Sequence, residues 1–151
     1  MSVLVVTRAF DPQAEAAAFC AGRTDVGAIA SFVGLCRDRN DGTSVSALYL
    51  DHYPGFTERE IERIEAQARA QFDLLETRIV HRAGSIAPGE PIVLVLAAAT
   101  HRAAALEAVD FMMDHLKTDA PFWKREETAA GARWIEPRDS DRSARASWEK
   151  S

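Results

Sequence analysis

Lys117 and Lys124 lie within one short segment, Lys117-Thr118-Asp119-Ala120-Pro121-Phe122-Trp123-Lys124-Arg125-Glu126. Pro121 bends the chain between them, and a bend can bring two lysines together. Each ammonium then disfavours the other's charge, so one of the pair can lose its proton near neutral pH. A lysine in that state works as a base or a nucleophile. The plainer alternative carries equal weight on the residues alone: Lys117 complements a helix C-terminus and Lys124 is solvated. On a strand, Phe122, Lys124 and Glu126 share one face, and Trp123 and Arg125 share the other.

A second constellation is Thr100-His101-Arg102. An apolar strand ends there and a helix begins. The helix start offers unpaired N–H groups and partial positive charge, and Arg102 adds a planar donor fork, so the place suits a phosphate or another anion. An arginine at a helix N-terminus opposes the dipole, which argues against an incidental surface residue. The loop Arg37-Asp38-Arg39-Asn40 has the character of a solvated turn. Arg138, after Trp134-Ile135-Glu136-Pro137, either completes a cationic pocket or forms an exposed ion pair. His52, His81 and His115 have no metal-ligand spacing and read as surface histidines. The sequence contains no Walker loop, GxGxxG or GxSxG element.

The elements that must position these groups follow from periodicity. Ser2 to Thr7 is β-branched and reads as a strand. Asp11-Pro12 opens an alanine-rich helix that Gly22 stops. Val26 to Val33 and Ser44 to Tyr53 read as strands around the charged loop ending in Asp41-Gly42, together a hairpin with a long tip. After Pro54-Gly55, Thr57 and Glu60 form a capping box with Phe56 and Ile61 as the staple. Ile61, Ile64, Ala68 and Phe72 line one helix face. Leu75 to Arg82 alternates as a strand does, and Ile92 to Ala99 is apolar throughout, as in a strand covered on both faces. Thr100 caps a helix whose core stripe is Leu106, Val109, Met113 and Leu116, ending near Lys117. Phe122 to Glu127 and Ala132 to Glu136 flank a turn, and the polar tail from about Asp139 has Trp148 as its anchor.

Hairpin-joined strands between helices favour an α+β fold with a mixed or antiparallel sheet over a doubly wound one. The 151 residues, 47% apolar and 27% charged, suit one domain, 1–151, with a real core. The longest strongly apolar run is far below the ~20 residues of a membrane helix, and the apolar start lacks a basic leader region. Cys20 and Cys36 form no CxxC pair, as expected of reduced thiols in a cytoplasmic protein. A net charge of −5 gives no support to nucleic-acid binding. The charge is uneven: residues 1–116 carry 10 basic and 16 acidic residues, while 117–151 carry 8 and 7. A locally cationic tail on an acidic body suits a small anion or an acidic partner segment.

One geometric constraint joins the two constellations. His101 and Lys117 fall on one unbroken helix, about 24 Å apart along its axis at 1.5 Å per residue. They cannot line one small pocket within one chain. Either there are two sites, or one site is assembled from two subunits of a two-fold dimer.

From about Val26 to Asp141 the chain resembles the catalytic (large) subunit family of molybdopterin synthase. The resemblance rests on Gly34-Leu35-Cys36-Arg37, Leu50-Asp51-His52-Tyr53-Pro54-Gly55, His81-Arg82-Ala83-Gly84, His101-Arg102 and, above all, the segment Lys117 to Glu126. It implies an α/β-hammerhead type of fold and a homodimer at the centre of a heterotetramer. The outer partner would be a ubiquitin-like sulfur carrier whose C-terminal Gly-Gly bears a thiocarboxylate. The substrate would be cyclic pyranopterin monophosphate, which receives two sulfurs to become molybdopterin. By the same resemblance Lys117 and Lys124 are the catalytic lysines. Leu35, Cys36, Arg37, His101, Arg102, Arg125, Glu126 and Arg138 are substrate-binding, some contributed by the neighbouring subunit. Cys36 stands where the family often has an aliphatic residue and is read as a bystander, since the carrier brings the sulfur. No metal or cofactor is implied. Two rivals remain: a dimeric scaffold that docks a ubiquitin-like tail or a phosphorylated metabolite without turnover, and a lyase or aldolase using a Schiff-base lysine.

Overall fold

The structure is a computed structural model that describes residues 2–150, with side chains described through residue 149. In chain order the elements are β1 (Ser2–Val6), α1 (Pro12–Ala18), β2 (Ala28–Leu35), β3 (Arg39–Asn40), β4 (Thr43–His52) and α2 (Phe56–Gln71). There follow β5 (Glu76–Arg82), β6 (Gly84–Ile86), β7 (Pro91–Ala99), α3 (Arg102–Asp119), β8 (Phe122–Thr128), β9 (Gly131–Ile135) and α4 (Asp139–Ser147). The architecture is α+β, with two sheets. One has the order β1-β5-β7-β2, with β1 parallel to β5 and the other pairs antiparallel. The other runs β3-β4-β8-β9, with β6 also paired to β4.

The apolar run of β7 explains the first sheet. Val93, Val95, Ala97 and Ala99 face α2 and α3, where they meet Ile61, Ile64, Ala68 and Met112. Leu94, Leu96 and Ala98 point the other way, onto Val80 and Phe19 beyond α1. A strand buried on both faces has no polar position to alternate with, as its sequence suggests.

The hairpin expected around residues 34–42 does not form. β2 pairs with β7 in the first sheet, whereas β4 pairs with β8 in the second. The loop leaving β2 is tied to the turn before β7, where Cys36 N donates to Glu90 O at 2.9 Å and Gly89 N donates to Cys36 O at 2.7 Å. The Asp41-Gly42 turn is real but serves the smaller β3–β4 ribbon, with φ of 52° and 78° at its two central residues. Those angles are the left-handed pair that a tight two-residue hairpin turn requires.

Two helix starts also differ from expectation. α2 begins earlier, with Gly55 at the N-cap and Glu58 accepting from its N–H at 2.9 Å. Thr57 instead accepts from Tyr53 N at 2.9 Å and donates to Pro121 O at 3.3 Å, tying α2 to the bend before β8. α3 has His101, not Thr100, at its N-cap, and no side chain caps it. It runs without a break to Asp119. The tail is helical in α4, and Trp148 anchors it edge-on against Phe72 and Phe111, with its indole N–H 2.7 Å from Asp114.

Candidate active site

α3 and β2 lie side by side and run the same way. At their starts Gly27 presses against Thr100, where an added Cβ would come within 2.0 Å of the carbonyl oxygen. At their ends the two elements part around a cavity of about 630 Å³, within the range of small-molecule sites. Phe32 to Leu35 of β2 and Met113, Leu116 and Lys117 of α3 form two walls. β8 supplies a third through Phe122, Lys124 and Glu126, the inward half of its alternation. Cys36, Arg37, Arg39 and Asn40 close one side, and Glu136, Arg138 and Asp141 another.

Lys117 therefore meets Lys124 across the bend at Pro121. Lys117 is exposed at the mouth, and Lys124 is partly enclosed. Burial first, then the positive charge of Lys117, pulls the Lys124 ammonium down to about 8, against the opposing pull of Asp141 and Glu126. A group of that acidity is partly unprotonated at physiological pH and can both take and return a proton. Of the plainer reading, Lys117 does lie in the last turn of α3, but Lys124 is not a solvated residue.

Glu126 is buried, and both its oxygens are engaged. Oε1 accepts from Asn40 Nδ2 at 2.5 Å, and Oε2 accepts from Arg133 Nη2 at 2.9 Å and Nε at 3.1 Å. The Asn40 side-chain oxygen in turn accepts from Arg138 Nη2 at 2.9 Å. Arg138 also pairs with Asp41 at 3.3 Å. One carboxylate thus fixes an arginine at the rim through an amide relay. The Cys36 thiol lines the same cavity. Burial, reinforced by the negative charge of Glu126 and Glu90, pushes it up and keeps it protonated, consistent with a bystander.

The cavity gathers Leu35, Cys36, Arg37, Lys117, Lys124, Glu126 and Arg138, and leaves three expected residues outside. Arg125 occupies the outward face of β8. Its guanidinium lies 4.8 Å from the centre of the Tyr49 ring and 5.8 Å from that of Trp134, and it pairs with Glu127 at 3.1 Å. The strand alternation already placed it there. His101 and Arg102 are exposed at the far end of α3, about 24 Å from Lys117 along the axis.

Two of the three histidines read as surface residues are buried. His115, 4% exposed, directs Nδ1 to Phe111 O at 2.8 Å. His81, 7% exposed, lines the cavity and stacks on Phe122 with ring centres 4.1 Å apart. The signal was present in β5, where Thr77, Ile79 and His81 fall on one side of a strand whose Ile79 is core. Arg39 and Asn40 form β3, in a stretch whose charges suggest a solvated turn in the sequence.

Comparison with known proteins gives a consistent result. The family model described as "MoaE protein" matches residues 5–119. A Pseudomonas aeruginosa protein named molybdopterin synthase catalytic subunit is 49% identical over 150 residues, covering 99% of this chain and 100% of its own. The solved molybdopterin biosynthesis MoaE protein of Burkholderia ambifaria superposes with a TM-score of 0.83 at 42% identity, covering 98% of this chain and 97% of that one. A Helicobacter pylori chain, solved in a protein-protein complex of subunits 1 and 2 of molybdopterin-converting factor, shares the fold with a TM-score of 0.74. It is 22% identical and covers 90% of this chain and 91% of its own.

Proposed function

The chain belongs to the MoaE protein family, and from that premise we propose that its cavity is where sulfur is transferred to a pterin. The protein is an enzyme of molybdenum cofactor biosynthesis, a sulfurtransferase that makes molybdopterin. The observation that carries the assignment to this cavity is the convergence of Lys117 and Lys124, from two different elements, on one enclosed volume. The substrate of the proposal is cyclic pyranopterin monophosphate. The sulfur donor is the thiocarboxylate on the C-terminal Gly-Gly of a small ubiquitin-like subunit.

Both reactants are anions, and the cavity answers with Lys117, Lys124, Arg37 and Arg138. Paired cations hold the two reactants close and stabilise charge as sulfur adds and oxygen leaves. Lys124, held near 8, takes and returns protons, while Lys117 keeps it there and faces the incoming tail. Leu35 and Cys36 form the adjoining wall, and Glu126 holds the Asn40–Arg138 relay. Arg125 faces outward in the single chain. Its part in the proposal is to shape β8 by stacking on Tyr49 and Trp134, not to touch substrate.

His101 and Arg102 enter the same proposal through a second copy of the chain. β2 is an edge strand, and Ile29, Phe32, Val33 and Leu35 are exposed along it, as is Leu106 on α3. The start of β2 adjoins the start of α3, and its end adjoins the cavity. A two-fold axis near the middle of β2 sets the start of one strand against the end of the other. Eight strand residues span roughly 25 Å, much like the distance from His101 to Lys117. His101 and Arg102 of the partner subunit then reach the Leu35–Arg37 rim, where they add anion-binding donors. Residues 1–151 act as one domain in this reading, since the cavity draws on residues from Phe32 to Asp141. Two unpaired thiols, Cys20 and Cys36, fit a cytoplasmic setting. Among the described residues no helix is long and apolar enough to cross a membrane.

Incubation with thiocarboxylated carrier and the pyranopterin monophosphate should give a product carrying two added sulfurs by mass. No such product would refute the assignment. The shared site has its own test. Arg102→Ala and Lys117→Ala homodimers should each be inactive, and mixing them with subunit exchange should restore up to half of wild-type activity per heterodimer. No recovery, with exchange confirmed by native mass spectrometry, would return both residues to one chain or remove Arg102 from the site.

A further inference from the structure

The side chains of the cavity are unequal in what they can offer a ligand. In their charged forms Lys117, Lys124, Arg37 and Arg138 only donate hydrogen bonds. Glu126 could accept, but its two oxygens are taken by Asn40 and Arg133, and the other carboxyl groups of the lining, Glu136 and Asp141, belong to the side that holds Arg138. His81, on the floor, differs. Its Nδ1 lies 2.9 Å from Arg82 O. A carbonyl oxygen only accepts, so Nδ1 carries the proton and Nε2 holds a lone pair. Among the described residues nothing donates to Nε2. Stacking on Phe122, with ring centres 4.1 Å apart and planes 20° apart, fixes the plane of the ring.

We propose that His81 is a substrate-orienting residue, whose Nε2 accepts a hydrogen bond from a ring N–H or a hydroxyl of the bound phosphorylated heterocycle. The inference rests on the sulfurtransferase reading of the cavity and adds the group that sets which way the heterocycle faces. The cations hold the phosphate and the thiocarboxylate but cannot recognise a donor. A neutral acceptor on the floor can, and it distinguishes the donor-bearing edge of the ring from its other edges. The surroundings keep His81 an acceptor. Burial foremost, then the charges of Lys124 on β8, Lys117 on α3 and His52 on β4, hold its conjugate acid to about 4, against the favourable pull of the Arg82 carbonyl. The imidazole is therefore neutral throughout the range in which Lys124 exchanges its proton.

The test uses the complete enzyme with its thiocarboxylated carrier. His81→Phe keeps an aromatic ring against Phe122 and removes the acceptor, while His81→Gln restores an acceptor near the position of Nε2. The expected result is a fall of about tenfold or more in kcat/KM for the pterin phosphate in His81→Phe, the scale of one lost hydrogen bond, with substantial recovery in His81→Gln. Nitrogen NMR of the wild-type enzyme should show Nε2 unprotonated from pH 6 to 8 and shifted when the pterin phosphate is added. That readout remains if the phenylalanine variant fails to fold. Wild-type turnover with an equally active His81→Phe, or an Nε2 resonance unmoved by substrate, would overturn the role of His81 alone. No dithiolated product from the wild-type enzyme would instead overturn the reading of the cavity.

Discussion

Glu65, behind the first sheet, and Lys124, on the second, show two opposite ways of treating a buried ionisable group. On the β1-β5-β7-β2 sheet, Glu65 is 1% exposed in the layer between α2 and β5. Burial raises its carboxyl, and the Thr77 hydroxyl donates to it at 2.8 Å. The group is enclosed, partnered and out of reach of any ligand. On the β3-β4-β8-β9 sheet, Lys124 is enclosed beside a like charge, which deepens the cost of keeping it charged. The first arrangement limits the penalty of burial. The second retains the penalty beside a cavity, as functional sites commonly do. The difference teaches that burial alone does not mark a site; an uncompensated charge facing a cavity does.

The largest expected effect separates the two regions by activity. Lys124→Ala and Lys117→Ala should each lower the rate of product formation by about 100-fold or more, the scale of lost acid–base catalysis, with no loss of melting temperature. Near wild-type turnover by both variants would erase the contrast.

A core substitution should show the reverse. Leu96 is fully buried against Phe19, Val80 and Leu94. Leu96→Ala should cost about 2–5 kcal/mol in urea unfolding while leaving turnover per folded molecule intact.

The third effect concerns pH. The chain has three lysines, Lys117, Lys124 and Lys150, so carbon NMR of methyl-labelled lysines can resolve each one. Lys124 should titrate near 8, and Lys117→Met should move it upward by removing the neighbouring charge. Because its pKa in the folded chain lies below that of an unfolded lysine, the unfolded state binds more protons between the two values. Stability should therefore rise with pH above about 8. Lys124→Met should accordingly melt higher than wild type at pH 7, and the gap should narrow above pH 8.

The smallest effect lies in the first sheet. The Glu65 carboxyl is raised on folding, so its stabilising contribution is present in acid and is lost as pH rises through the folded value. Glu65→Gln should raise the melting temperature slightly at pH 7.5 and less at pH 4. An equal shift at both pH values would show that Glu65 keeps its ordinary acidity.

Much of this contrast was legible in the residues. The unbroken pattern from His101 to Lys117 shows a single helix and so separates its ends, and the composition of β7 shows a strand with two covered faces. Alternation along β8 placed Lys124 and Glu126 together and turned Arg125 to the opposite face. The features that escaped depend on partners distant in sequence. β2 and β4 look like a hairpin because they are consecutive, yet β2 finds its partner more than fifty residues later. His81 looks superficial until β8 and Phe122 are laid over it, and Asn40 gains its purpose from Glu126 and Arg138, on the far side of the chain.

The edge formed by β2 has a consequence for the life of the free polypeptide. Its eight residues, Ala-Ile-Ala-Ser-Phe-Val-Gly-Leu, include no charge and no proline, the usual guards against unwanted strand addition. A newly made chain that has not met its counterpart carries an adhesive border, open to any extended segment nearby. Dilution or overproduction without assembly should therefore send the protein toward aggregates, and in the two-fold arrangement proposed above partnering would be a condition of solubility as well as of catalysis.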